Sequence, residues 1–338
     1  MKAEFPSADT VLTLRSSAAD VVYRDVRIGL RSRIVVTLLR WFLKPLLARL
    51  VRQSHEGIAK TQLQVAAMRC PDSAGLRLEY EVVGNVPGHV LGTLDSRSPV
   101  VLWLHGGAFV LPAAPAMHLP MVAKLCRDLG ANGFVPDYRL APFNRFPAGL
   151  DDCEKAYRAL TDRGHRASQI VIGGDSAGGN LLFGLLQRIR KAGLPMPSCA
   201  IAVSPVAEMG RLHAPPSRHR RMRADPLLPI AAMSKIDELY AGESDASDPE
   251  LSPLYMDCAG LPPLLFFASD NEILTDDTIM LARRAHAAGV ATACQIWPLL
   301  PHAFPLFESW FPEARKARED MNSFARRHLD RNHRGEFP

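Results

Sequence analysis

The chain has 338 residues, 47% apolar and 22% charged, which is ordinary for a soluble globular protein and enough to bury a substantial core without disulfides or metals. Its net charge of +5 is uneven: residues 1–60 hold 11 Lys/Arg against 5 Asp/Glu, or +6, leaving −1 for the rest. A basic appendage on a near-neutral body argues against a nucleic-acid-binding core.

Residues 1–17 have no apolar run behind a basic start, so no signal peptide is expected. No window reaches the ~18 uninterrupted apolar residues of a spanning helix, and the cytoplasm is the expected location. The six cysteines (Cys70, Cys126, Cys153, Cys199, Cys258 and Cys294) are scattered with no C-x-x-C pair. That pattern fits isolated thiols in a reducing compartment, not a disulfide framework or a zinc site. No His/Cys/Asp cluster has ligand spacing, so no metal or cofactor is expected.

From about residue 20 to 60 the pattern is basic and helical. Trp41, Phe42 and the leucines of residues 31–52, with Arg40, Lys44, Arg49 and Arg52, allow two readings. One is a helix lying on an anionic membrane surface. The other, plainer expectation is that these apolar side chains pack against the body of the protein.

From about residue 78 the texture changes. The apolar runs 100–104, 133–138, 169–173, 199–204, 264–268 and 292–297 read as strands. Between them lie predicted helices at about 117–129, 149–162, 177–191, 229–240, 275–288 and 312–330. This alternation predicts a mostly parallel sheet covered on both faces, with ligands bound at the strands' C-terminal ends. The run Arg218-His219-Arg220-Arg221-Met222-Arg223, between Pro216 and Pro226, is short and isolated, and is expected to be a solvated loop and not a nucleic-acid patch.

Two motifs fall just after strands. Gly174-Asp175-Ser176-Ala177-Gly178 follows the 169–173 strand and opens a helix. It has the G-x-S-x-G form of a nucleophile elbow, where small residues permit a tight turn that holds Ser176 Oγ out at the sheet edge. The helix that follows directs its N-terminus, and the Ala177 N–H, at a developing oxyanion. His105-Gly106-Gly107-Ala108 follows the 100–104 strand. It matches an oxyanion loop with Ala108 in place of the last glycine, and the Gly106, Gly107 and Ala177 amides are the expected donors.

A serine nucleophile needs a base. Downstream histidines are His213, His219, His286, His302, His328 and His333. His213 and His219 flank a basic stretch, His286 lies within a predicted helix, and His328 and His333 lie in or beyond the last one. Only His302 sits on a loop after a strand. A carboxylate at the preceding strand end would orient it, and both Asp270 and Glu272 qualify by position. Asp276 and Asp277 are expected to cap the next helix.

Taken together, these residues make the stretch from about 78 to 310 resemble the bacterial hormone-sensitive lipase-like carboxylesterases, with an α/β-hydrolase fold. Asp137-Tyr138-Arg139-Leu140-Ala141-Pro142, followed by Phe146-Pro147-Ala148 and Asp152, matches a further family segment, with Phe143 standing where the family has glutamate. The family's acid motif, in register with Ala288-Gly289-Val290 and His302, implies Glu272 as the acid over Asp270. The resemblance also implies a helical cap from residues 1–60 and an insertion at about 206–240, the remainder of 61–338 being the catalytic domain. It implies a small ester as substrate, with a homodimer common in the family. Competing readings are a lipase or amidase using the same residues on long-chain or amide substrates, and a non-catalytic protein on the same scaffold.

Overall fold

The computed structural model describes residues 21–50, 52–210 and 215–333. Residues 1–17, which bear on the signal peptide, and His213 lie outside the described residues.

Nine strands form one sheet: β1 (Val21–Tyr23), β2 (Leu78–Val83), β3 (Val86–Leu91), β4 (Val100–Leu104), β5 (Asn132–Pro136), β6 (Ile170–Asp175), β7 (Cys199–Val203), β8 (Leu264–Ser269) and β9 (Thr292–Trp297). Their order is β1-β9-β8-β7-β6-β4-β5-β3-β2. Only the β2–β3 and β3–β5 pairs are antiparallel. The chain steps from β4 outward to β5, then crosses back to place β6 on the other side of β4. That reversal opens a crevice at the strands' C-terminal ends, where α/β proteins bind ligands.

Both faces of the sheet are buried because successive side chains alternate. Along β4, Val100, Leu102 and Leu104 enter one core, while Val101 and Trp103 enter the other. Helices α1 (Leu30–Leu38), α2 (Lys44–Leu50) and α3 (His55–Ala66) precede the hairpin. Of the later helices, α4 (His118–Leu129) and, at the C-terminus, Pro312–His333 fill the Trp103 side. The other side is filled by α5 (Ala148–Asp162), α6 (Ala177–Lys191) and, after β8, Thr275–Ala287. Between β7 and β8 the chain inserts α7 (Ser217–Arg220) and α8 (Ile230–Tyr240). The remaining helices are therefore α9 (Thr275–Ala287) and α10 (Pro312–His333). No helix among the described residues is long and apolar enough to cross a membrane.

Each helix predicted from about 117 onward is present with ends shifted by at most a few residues, and the predicted strands are present too. Three strands escape the periodicity reading. β2 and β3 form a hairpin whose turn residues, Gly84 and Asn85, both have positive φ, the requirement of a two-residue turn matched to strand twist. β1 is three residues long and exists only by pairing with β9. The sheet thus takes Val21–Tyr23 from the segment that precedes residue 60.

The basic run at 218–223 departs from the expected solvated loop. Arg218 is 3% exposed, and its guanidinium meets the fully buried Asp277 at 2.5 Å while donating to Glu208 O. Arg220 pairs with Asp276 at the surface. The two acids expected to cap α9 therefore also anchor the insertion, because a buried cation needs a buried counter-charge. Arg218→Ala is expected to lower stability by about 3–5 kcal/mol in urea unfolding, since it strands the Asp277 carboxylate. The pair Arg218→Met with Asp277→Leu should recover most of that loss.

Candidate active site

The turn after β6 carries the strained residue of the site. Ser176 has φ 54° and ψ −118°, a conformation that costs an L-residue about 1–3 kcal/mol. The surrounding structure holds it there: the Ser176 N–H donates to Val203 O on β7, and Ser176 O accepts from Asn180 and Val206. Gly178 is required by close approach, because a Cβ there would lie 1.9 Å from Leu104 O at the end of β4. The elbow and the loop after β4 are thereby pressed together.

That contact continues through Asp175. Its buried carboxylate accepts from Trp103 Nε1 at 2.9 Å and from the Gly106 N–H at 3.0 Å, with His118 Nε2 3.5 Å away. Burial alone would raise the Asp175 pKa, but His118 and the Trp103 N–H hold it below the usual carboxylate range. A Cβ on Gly106 would come within 2.2 Å of Asp175 Oδ2. His105 lies beneath, stacked on Tyr138 at 4.2 Å, and the Tyr138 hydroxyl donates to His105 O. Burial and the neighbouring His118 push His105 down to about 4. The ring is therefore neutral near pH 7, and its Nδ1–H donates to Gly106 O at 2.7 Å.

This geometry corrects the expected oxyanion donors. The Gly106 N–H is already engaged by Asp175, so it does not face a ligand. The Gly107 and Ala108 N–H groups find no acceptor among the described residues. The loop has φ of 120° at Gly107 and 56° at Ala108, so the departure from glycine sits at a left-handed position. Ala177, first residue of α6, has no intrahelical acceptor for its N–H.

His302 follows β9 and is buried, as is Glu272 after β8. Their side chains meet, with His302 Nδ1 2.5 Å from Glu272 Oε2. The other Glu272 oxygen accepts from Ser204 Oγ and from the Ser269 N–H, each at 2.8 Å. Burial by itself would lower the His302 pKa, but the Glu272 charge and hydrogen bond outweigh it and raise the imidazole above its ordinary value. His302 Nε2 is buried and has no partner among the described residues, so no hydrogen bond joins it to Ser176 Oγ. Such bonds are often long before substrate binds.

Asp270, the alternative acid, turns elsewhere. Its Oδ1 accepts the Leu299 N–H at 2.8 Å, bracing the loop that carries His302. His219 lies on α7, His286 on α9 and His328 on α10. Ser204 at the end of β7 bonds Glu272 and also accepts the Ala303 N–H. Asp225 is a second surprise: buried, it accepts from Leu227, Leu228 and Ile273, and burial raises its pKa despite those donors. Neither residue belongs to a motif, so only their positions after folding mark them. In the Asp137–Asp152 segment, Arg139 grips Asp152 with two nitrogens, while Phe143 is exposed and meets the edge of His55.

The comparisons with known proteins agree with this architecture. Residues 101–306 match the model of a family described as having the α/β hydrolase fold. An acetyl-hydrolase of Streptomyces hygroscopicus is 34% identical over 232 residues, covering 69% of this chain and 76% of the relative. A crystal structure of the esterase EstE5, soaked with p-nitrophenyl butyrate, superposes with a TM-score of 0.80 at 30% identity, covering 89% of this chain and 99% of that one. A structure described as an esterase of the bacterial hormone-sensitive lipase family gives a TM-score of 0.78 at 30% identity, covering 90% and 100%. With the sheet order, the elbow and a family match over most of the folded body, the chain belongs to the α/β-hydrolase fold family, in its bacterial hormone-sensitive lipase-like branch.

Proposed function

We propose that this protein is a serine carboxylesterase in which Ser176 is the nucleophile, His302 the base and Glu272 the acid. The observation that carries the proposal is the buried His302–Glu272 pair, which holds the imidazole by Nδ1 and leaves Nε2 bare. A hydrogen-bonded carboxylate sets the tautomer that accepts a proton at Nε2 and stabilises the imidazolium that results.

In this reaction His302 Nε2 takes the Ser176 proton as Oγ attacks the ester carbonyl. Negative charge develops on the carbonyl oxygen, and the Gly107, Ala108 and Ala177 amides stabilise it by on the order of 3 kcal/mol each. His302 then protonates the leaving alcohol, and the acyl group stays on Ser176. Water, deprotonated by His302, releases the acid and regenerates the serine.

The cap belongs to the same proposal. Residues 206–240 and the N-terminal segment join where Arg40 donates to Ala224 O and Lys44 to Met222 O and Asp225 O. That joined layer is the proposed wall selecting acyl or alcohol groups.

A fluorophosphonate probe tests the nucleophile directly. One covalent adduct on the peptide carrying Ser176 is the expected result, and a protein left unlabelled would overturn the assignment. Hydrolysis of p-nitrophenyl esters from acetate to palmitate then separates the readings: an optimum at short to medium acyl chains is expected, and a long-chain optimum would mark a lipase.

A further inference from the structure

The helical arm at 30–50 has one face that the fold leaves uncovered among the described residues. Its inner face, with Ser32, Val36 and Leu39 buried, docks on the body, and Glu313 at the start of α10 accepts from the Gly29 N–H and Ser32 Oγ. The outer face carries Leu30 (75% exposed), Ile34 (52%), Leu38 (50%), Trp41 (72%), Phe42 (73%) and Leu46 (57%). Their four-residue spacing puts them on one side of the helix. The expectation that the apolar side chains of this segment simply pack inward therefore fails for half of them.

A local irregularity sharpens this face. Pro45 lacks an N–H and its ring would clash with the carbonyl four residues back. Residues Leu39–Leu43 adopt a π-turn there, and the Lys44 N–H reaches back to Leu39 O. Trp41 and Phe42 stand side by side on the turn, as the two most exposed aromatics of the arm.

The arm's own charge has one sign. Residues 26–55 contain Arg27, Arg31, Arg33, Arg40, Lys44, Arg49 and Arg52 and no Asp or Glu. None of these seven forms an ion pair with a carboxylate among the described residues. Such a face does not suit a second copy of the chain, because a twofold contact would set unneutralised cations against each other. Exposed aromatics and leucines within a cationic rim match the headgroup region of an anionic bilayer, where rings sit among lipid chains and Lys/Arg meet phosphates. The arm is too short and too charged to span.

We infer that the outer face of residues 30–50 is a docking surface for an anionic phospholipid membrane, on which the protein lies peripherally. This does not depend on the esterase reading, since it is tested without any measurement of catalysis.

Full-length protein is floated with vesicles of phosphatidylcholine alone or mixed with phosphatidylglycerol. Co-flotation with the mixed vesicles, weakened at high salt and absent with phosphatidylcholine alone, is the expected result. Trp41→Ser with Phe42→Ser should cut the bound fraction by about tenfold or more, because both rings then no longer leave water for the lipid chains. Thermal unfolding of this double variant should match wild type, because both rings face solvent. Arg33→Glu with Arg49→Glu tests the cationic rim and should likewise release the protein. Wild type that stays unbound on anionic vesicles, or a double variant that floats equally well, overturns the proposal. So does a wild-type dimer in solution that Trp41→Ser with Phe42→Ser converts to monomer, which would assign the face to a second copy.

Discussion

Ser176→Ala and His302→Ala are each expected to lower kcat for a p-nitrophenyl ester by roughly 10⁶-fold, and the double variant should be no slower than either alone. The serine hydroxyl is a weak nucleophile until Nε2 removes its proton, and the imidazole has no other task in acyl transfer. Removing either partner removes the same step. Activity that persists is expected to remain about 10³- to 10⁴-fold above the uncatalysed reaction, sustained by the Gly107, Ala108 and Ala177 amides and by substrate binding. Additive losses in the double variant would mean that the two residues act in separate steps, contrary to the proposed roles.

The second large effect separates the two candidate acids. Glu272→Ala should reduce kcat by about 10⁴-fold, because the ring loses both its tautomer lock and the charge that stabilises its protonated form. Asp270→Ala should cost no more than about tenfold, since Asp270 only braces Leu299 and the loop beneath His302. The pH profile supplies a further check. Neutral His302 is the working base, so kcat/KM rises with pH as the imidazole loses its proton. In wild type this rise is centred above the ordinary value of 6.5. In Glu272→Ala the residual activity should rise at lower pH, because the main charge and the hydrogen bond that oppose burial are gone, leaving only Asp225 and Asp175 to raise the imidazole. The raised pKa also means that the pair stabilises the fold fully below pH 6.5, with that contribution fading as pH climbs through the folded-state value. An acid limb that moves upward in Glu272→Ala would place the stabilising charge elsewhere, with Asp225 the next carboxylate that raises the imidazole.

Much of this molecule is legible in its residues alone. Parallel strands buried on both faces appear as continuous apolar runs, and helices on their flanks repeat every three to four residues, so β4 to β9 and, apart from the four-residue α7, α4 to α10 can be read by period. The chemistry is legible for a related reason: a nucleophile elbow and an oxyanion loop need glycines and small residues at set offsets, which is how Ser176 and Gly107 stand out, while His302 is marked by its place on a loop after a strand. What the residues could not decide depends on atoms distant in sequence. β1 exists because β9 offers an edge, not because three residues favour a strand. The Gly106 amide looked available until Asp175, 69 positions later, claimed it. Glu272 and Asp270 both qualify by position at one strand end; the family register implies Glu272, and folding turns the first toward His302 and the second toward Leu299. The same holds for the arm at 30–50, whose composition allows a membrane surface besides the plainer reading as a packed helix. Only the docking of Ser32, Val36 and Leu39 decides which side is left to solvent, because a helix pattern records where apolar residues lie but not which of them find a partner.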